Sequence, residues 1–276
     1  MLVTLKEILA IAEEKKIAIG SFNTPNLTCL NAIIDAAEEL NQPVILMHAQ
    51  VHEEMGLCNM EQVAPMMIAA AKKSTVPVCV HLDHGTDVEY VKRGLDLGFT
   101  GVMYDGSTLS EEENTANTKI VVEYAKKTGA SVEAEIGSMG TREGGDGADE
   151  SIYTDPDTAV RFVNNTGIDA LACAFGTSHG FYKSAPKLDF ERLAKIDSMI
   201  DVPIVMHGGS GVSEDDYREV IKRGVRKVNY YTYMAKAGAA AIAGKEYSQF
   251  HDVLLDAKKG MQENVSNAIK VFSGLK

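Results

Sequence analysis

The stretch PVCVHLDHGTDVEYVKRGLDLGFTGVMYDGS (77–107) holds one complete repeat of the architecture. PVCVHLD (77–83) is an apolar run of strand length. Asp87 then stands where a helix N-cap belongs, ahead of a helical pattern over about 87–97, and GVMYD (101–105) is a second strand. A connection that long joins parallel strands, not a hairpin.

Reading outward from this unit, the same alternation runs from end to end. Six further strands are IAIGSF (17–22), VILMHA (44–49), SVEAEI (131–136), ALACAF (170–175), PIVMHG (203–208) and RKVNY (226–230), which makes eight in all. Helices are expected over 27–40, 59–73, 110–128, 156–165, 189–199, 214–223 and 232–243. In the first of these Leu27, Leu30, Ile33, Ile34 and Ala37 share a face. Ser110 and Ser213 are further caps. Eight βα units with neither G-x-G-x-x-G nor a P-loop favour a closed (β/α)8 TIM barrel over an open doubly wound sheet. A leading amphipathic helix (about 4–15) is placed to cap the bottom of the barrel, and a helical extension (about 246–274) follows the last unit. The chain, 1–276, is read as a single barrel domain. Two long Gly-rich polar segments, 137–155 and 176–188, are candidate mobile loops over an active site.

Composition narrows the function classes. With 45% hydrophobic and 24% charged residues the chain has ordinary globular material. A net charge of −12 and a pI of about 5.1 exclude the basic footprint of a nucleic-acid binder. No apolar run approaches the roughly 20 residues of a membrane span, and Glu7, Glu13 and Glu14 interrupt the N-terminal pattern as a signal peptide would not. Cys29, Cys58, Cys79 and Cys173 form no C-x-x-C pair, so a reducing, cytoplasmic setting is expected.

The chemistry gathers where strands end, which in a barrel is the catalytic face. Asp83 and His84 end the third strand, Asp105 the fourth, Glu133 and Glu135 lie on the fifth, His179 follows the sixth, and His207 ends the seventh. Three histidines from three strand ends are a ligand set that leaves a catalytic zinc an open fourth position. His48, His52, His81 and His251 are read as ordinary hydrogen-bonded histidines. Gly208-Gly209-Ser210-Gly211 after the seventh strand and Asn229 to Thr232 after the eighth occupy the usual phosphate site of this fold.

The segments HLDHG (81–85), YDGS (104–107), VEAEIG (132–137), FGTSHGFY (175–182), PKLDFERL (186–193), VPIVMHGGSGV (202–212) and KVNYYT (227–232) resemble, in this order, the class II fructose- and tagatose-bisphosphate aldolases. The resemblance runs from SFN (21–23) to the C-terminal helix. It implies zinc held by His84, His179 and His207, with Asp83 protonating the aldehyde oxygen and Glu143 of GSMGTREGG (137–145) as the base. It further implies a second or alternative metal position at Asp105 and Glu135, whose other reading is orientation of the zinc histidines. A monovalent cation is also possible on this resemblance. Asn23, Gly180, Gly208, Gly209, Ser210, Asn229, Tyr230, Tyr231 and Thr232 are implied to contact the phosphorylated substrate. Relatives of this kind are commonly homodimers or homotetramers.

The chain departs from the pattern in three places. Tyr230 and Tyr231 replace a small or aliphatic pair, Arg142 stands where a second acid is common, and Lys258 and Lys259 stand where an arginine often meets the far phosphate. The leading expectation is reversible cleavage of a ketose 1,6-bisphosphate, fructose first and tagatose as the alternative. A non-catalytic sugar-phosphate sensor and a metal-free phosphate-binding isomerase are the other readings.

Overall fold

The computed structural model describes residues 1–137, 153–177 and 186–275. Among the described residues nine strands form one parallel sheet: β1 (Leu2–Val3), β2 (Ile19–Asn23), β3 (Val44–Ala49), β4 (Val78–Gly85), β5 (Gly101–Tyr104), β6 (Ser131–Ile136), β7 (Ala170–Cys173), β8 (Ile204–Met206) and β9 (Val225–Tyr230). The order is β1-β4-β3-β2-β9-β8-β7-β6-β5, and a further β4–β5 pairing closes β2 to β9 into an eight-stranded barrel. β1 is an addition that the sequence pattern did not signal. Its two residues pair outside the ring with the start of β4, Leu2 against Val78.

The strands alternate as a barrel requires. Val44, Leu46, Val78, Val80, Leu82, Val102, Val132 and Leu171 join the large core between sheet and helices. Ile19, Ile45, Cys79, Ala170, Ala172 and Val205 form a separate apolar cluster with Leu5, Ile8, Leu9 and Ala12. Those last four belong to the helix Leu5–Lys15, started by a capping box between Thr4 and Glu7. This helix therefore plugs the N-terminal mouth of the barrel, as its amphipathic pattern implied.

The outer helices start where their caps were read. Asp87, Ser110 and Ser213 accept from the backbone N–H of Tyr90, Glu113 and Asp216 respectively. Each such cap contributes about 1 kcal/mol. The short helix Gln50–Glu54 after β3 was not expected. The C-terminal helix, Phe250–Ser273, packs on Thr232–Ile242 and on Leu27–Glu39. Its Lys258, considered above for a distant phosphate, forms an ion pair with Asp35 of Leu27–Glu39. All four cysteines are unpaired and buried. No described helix is long and apolar enough to cross a membrane.

Candidate active site

Strand alternation directs Cys79, His81 and Asp83 of β4 into the barrel and would turn His84 outward. The backbone prevents that. Between Leu82 and Gly85 the register of β4 against β5 slips, three steps on β4 facing two on β5, and His84 takes a left-handed conformation at φ 47°. A bulge of this kind re-aims a side chain, and here Asp83 and His84 both reach the same site. Gly85 makes it possible. A Cβ there would lie 2.4 Å from Val91 Cγ2 and 3.0 Å from the carbonyl oxygen of Met103.

Two imidazoles converge at the C-terminal mouth. His84 Nε2 lies 2.8 Å from His207 Nδ1, and the outer nitrogen of each ring meets a carboxylate at 2.8 Å: Asp105 Oδ2 on His84 Nδ1 and Glu133 Oε1 on His207 Nε2. These partners assign the outer nitrogens as the N–H donors. When both rings are neutral, two lone pairs face one another. A cation between the rings satisfies both, and Asp83, His84 and His207 offer ligand atoms mutually within 4.8 Å. His84, Asp105 and Glu135 form a second such group. Imidazole nitrogens ringed by carboxylates suit a first-row divalent metal ion, so the residues fit the metal that the sequence pattern implied.

The field at this mouth favours positive charge. Burial disfavours a charged His84, yet Asp83, the Asp105 hydrogen bond and Glu135 together hold it up at about 10. Burial first, and then the Asp105 charge, push Glu135 well above the usual carboxylate range. Asp105 is held low despite burial by its hydrogen bond to His84, and Ser107 donates to it through Oγ at 2.6 Å and its backbone N–H at 3.1 Å. That geometry places Asp105 behind His84.

Beneath the mouth lies a charged layer of Glu133, which the sequence reading placed among the strand-end groups without a role, and Lys227, which it left out of the site. Glu133 and Lys227 are fully buried, with Lys227 Nζ 2.9 Å from Glu133 Oε2. Their signal was present: Glu133 and Glu135, and Lys227 and Asn229, are polar residues spaced by two within buried strands. His81, read as an ordinary hydrogen-bonded histidine, makes no hydrogen bond among the described residues; its Nε2 lies 3.5 Å from Glu133 Oε2, and burial, reinforced by Lys227, pushes its pKa well below the usual range. His48 does bond Tyr90 Oη, at 3.0 Å.

Where the sequence pattern expects a phosphate, the turn after His207 and the N-terminus of Thr232–Ile242 adjoin, the backbone N–H of Tyr231 reaching Ser210 Oγ at 3.4 Å. Gly209 packs so closely that a Cβ would come 2.8 Å from the carbonyl oxygen of Asn229. Gly208 takes φ 64°. Asn23 ends β2 and is buried. Asn229 donates to Asp83 Oδ1 at 2.8 Å, so its side chain belongs to the acid as much as to any ligand. The Tyr230 ring packs on Phe22 and Phe272 in the outer layer, and Tyr231 stacks obliquely on His52, centroids 4.8 Å apart. Both large residues keep their rings in protein contacts. Glu143, Arg142, His179 and Gly180, and most of the two Gly-rich segments, lie outside the described residues.

Comparison with known proteins bears on the family and the fold. The chain is 39% identical to a fructose-bisphosphate aldolase of Staphylococcus aureus over 98% of its own length and 97% of that protein. It is 36% identical to the Escherichia coli protein YdjI over 95% and 94%. The crystal structure of the YdjI aldolase superposes with a TM-score of 0.89 at 35% identity, covering 99% of this chain and 97% of that one. A fructose-bisphosphate aldolase structure from Campylobacter jejuni, at 23% identity and TM-score 0.77, shares the fold. The family profile described as fructose-bisphosphate aldolase class-II matches residues 3–275, and the chain belongs to that family.

Proposed function

We propose that the protein reversibly cleaves a ketose 1,6-bisphosphate, fructose 1,6-bisphosphate before tagatose 1,6-bisphosphate, to dihydroxyacetone phosphate and glyceraldehyde 3-phosphate. The observation that carries this reading is the convergence of His84 Nε2 and His207 Nδ1 beside Asp83. His84, His207 and His179 would hold zinc, with Asp105 and Glu135 orienting His84 and offering an alternative metal position. When bound, the ion supplies Lewis acidity that polarises the substrate carbonyl and offsets the negative charge developing beside it.

The chain's own groups move the protons. In cleavage, Asp83 takes the hydroxyl proton at C4 as the C3–C4 bond breaks, releasing the aldehyde. Glu143 then delivers a proton to C3 of the enediolate left behind, and condensation runs both transfers in reverse. Asn229 steadies Asp83 through the 2.8 Å hydrogen bond. Asn23 would reach the substrate from the end of β2. Gly180, the Gly208–Ser210 turn and the backbone from Asn229 to Thr232 would receive the phosphate at the dihydroxyacetone end. A cytoplasmic setting accords with four unpaired cysteines. Assembly into two or four copies accords with the exposed Phe250, Leu254 and Leu255 on one helix.

The test is turnover of fructose and tagatose bisphosphates by purified protein, with and without chelator, alongside Asp83→Ala. Cleavage lost on chelation and in the variant is the expected result. Turnover unaffected by chelator overturns the metal mechanism, and no turnover of any ketose phosphate points to a sugar-phosphate sensor instead.

A further inference from the structure

The buried layer under the mouth forms a continuous chain of polar contacts. Glu133 of β6 bonds His207 Nε2 through Oε1 at 2.8 Å. Lys227 of β9 lies 3.2 Å from that same oxygen and 2.9 Å from Oε2, and donates to Asn229 Oδ1 at 2.8 Å. Asn229 Nδ2 in turn lies 2.8 Å from Asp83 Oδ1 on β4 and 3.2 Å from His207 Nδ1. Glu133, His207 and Lys227 are all 0% exposed, and Asp83 and Asn229 are buried.

An asparagine amide can sit in either of two flipped orientations, and its neighbours decide which. With Nζ of Lys227 on Oδ1, the NH2 group is the end that faces Asp83. Turned over, Asn229 would put an oxygen against the Asp83 carboxylate and its NH2 against the ammonium, a mismatch at both ends. A buried ion pair with apolar replacements available is weak evidence of stabilisation alone. This one sits on the line joining the acid to a metal-site histidine.

We propose that Lys227 is a positioning residue: through Asn229 it fixes the orientation of Asp83, and through Glu133 it keeps His207 aimed at the metal position. It touches neither substrate nor metal. The inference rests on the proposed function for its turnover arm, whereas its metal-binding arm stands apart from turnover.

The experiment uses the whole chain in a Glu133→Gln background, where Lys227→Met leaves no unpaired Glu133 carboxylate in the core, and circular dichroism verifies that each variant compared is folded. The probe is Co2+ titrated into metal-free protein and followed by its visible spectrum. Adding Lys227→Met to Glu133→Gln is expected to weaken Co2+ binding and lower kcat by about 10–100-fold, the range for partners that orient a metal ligand, with KM changed less than about twofold. Adding it to Glu133→Gln/Asn229→Ala should lower kcat by less than about twofold further, because the relay to Asp83 is already cut. Unchanged Co2+ binding and kcat in the double variant, or an equal kcat cost with and without Asn229, overturns the proposal and reduces Lys227 to charge balance. If the parent binds Co2+ yet cleaves no ketose bisphosphate, the proposed function fails while the Co2+ comparison still decides the role of Lys227.

Discussion

Asp105→Asn should impair metal binding more than Asp105→Ala does, against the ordinary expectation that the isosteric change is milder. Ser107 donates twice to Asp105 Oδ1, from Oγ and from its backbone N–H. An asparagine there keeps its carbonyl oxygen on those donors and must present NH2 where Oδ2 now lies, 2.8 Å from His84 Nδ1. Two N–H groups cannot face each other. His84 is driven to carry its proton on Nε2, which removes the ligand nitrogen. In the alanine variant a water can accept from Nδ1, and only the charge-assisted bond is lost, worth roughly 1.5–3 kcal/mol or about 10–150-fold in affinity. Isothermal titration of Zn2+ into metal-free protein reads both variants. Asparagine binding metal as well as or better than alanine refutes the reasoning, and shows Asp105 acting as a direct ligand through its remaining oxygen.

Three further outcomes are expected. Glu143→Ala should abolish proton exchange at C3 of dihydroxyacetone phosphate with metal still bound, whereas Asp83→Ala should keep that exchange and lose cleavage; solvent-deuterium incorporation followed by NMR separates the two, and unchanged exchange removes Glu143 from the mechanism. His84, held at about 10 without metal, must lose its proton to serve as a ligand, so metal affinity should rise about tenfold per pH unit between pH 6 and 8. Titrations in buffers of different ionisation enthalpy should show about one proton released per ion, and no release contradicts the field described here. By the same linkage, the raised pKa stabilises metal-free protein fully below the unfolded value near 6.5 and is lost as pH climbs through about 10. Leu9→Ala in the plugging helix, where Leu9 is 1% exposed, should cost about 2–5 kcal/mol in chemical denaturation and leave KM unchanged; a shifted KM would mean that the bottom of the barrel reaches the site.

How much of this was legible follows from what periodicity can and cannot encode. Short apolar runs alternating with capped helical segments define eight units because each strand is buried on both faces, and a run such as VILMHA (44–49) has no other use for such continuous hydrophobicity. β1 escaped because two residues carry no period. The helix Gln50–Glu54 escaped because one turn carries little more. Glu133 and Lys227 were visible as charges inside strands, but pairing them needs the barrel's closure, which sets strands β6 and β9 three apart around the ring. The same holds for Asn229, assigned from its motif to the phosphate and found also holding the acid.

Asp83 and His84 show the limit most sharply. Period-two alternation sends adjacent residues to opposite faces of a strand, so a pattern reading that takes strand geometry at its word must discard one of them. Both are nonetheless at the site, because one extra residue on β4 and a left-handed His84 reset the alternation at the strand's last step. The trace of that irregularity in the sequence is Gly85, whose missing side chain is what Val91 and the Met103 carbonyl leave room for. The motif HLDHG is thus a statement about backbone as much as about ligands: an acid, a histidine, and the residue that lets the chain turn them the same way. Such a turn holds a non-glycine residue in the left-handed region, where it costs of order 1–3 kcal/mol. Local propensity would not select it. The hydrogen bond that His84 donates to Asp105 and the facing nitrogen of His207 are the contacts that give this conformation its function.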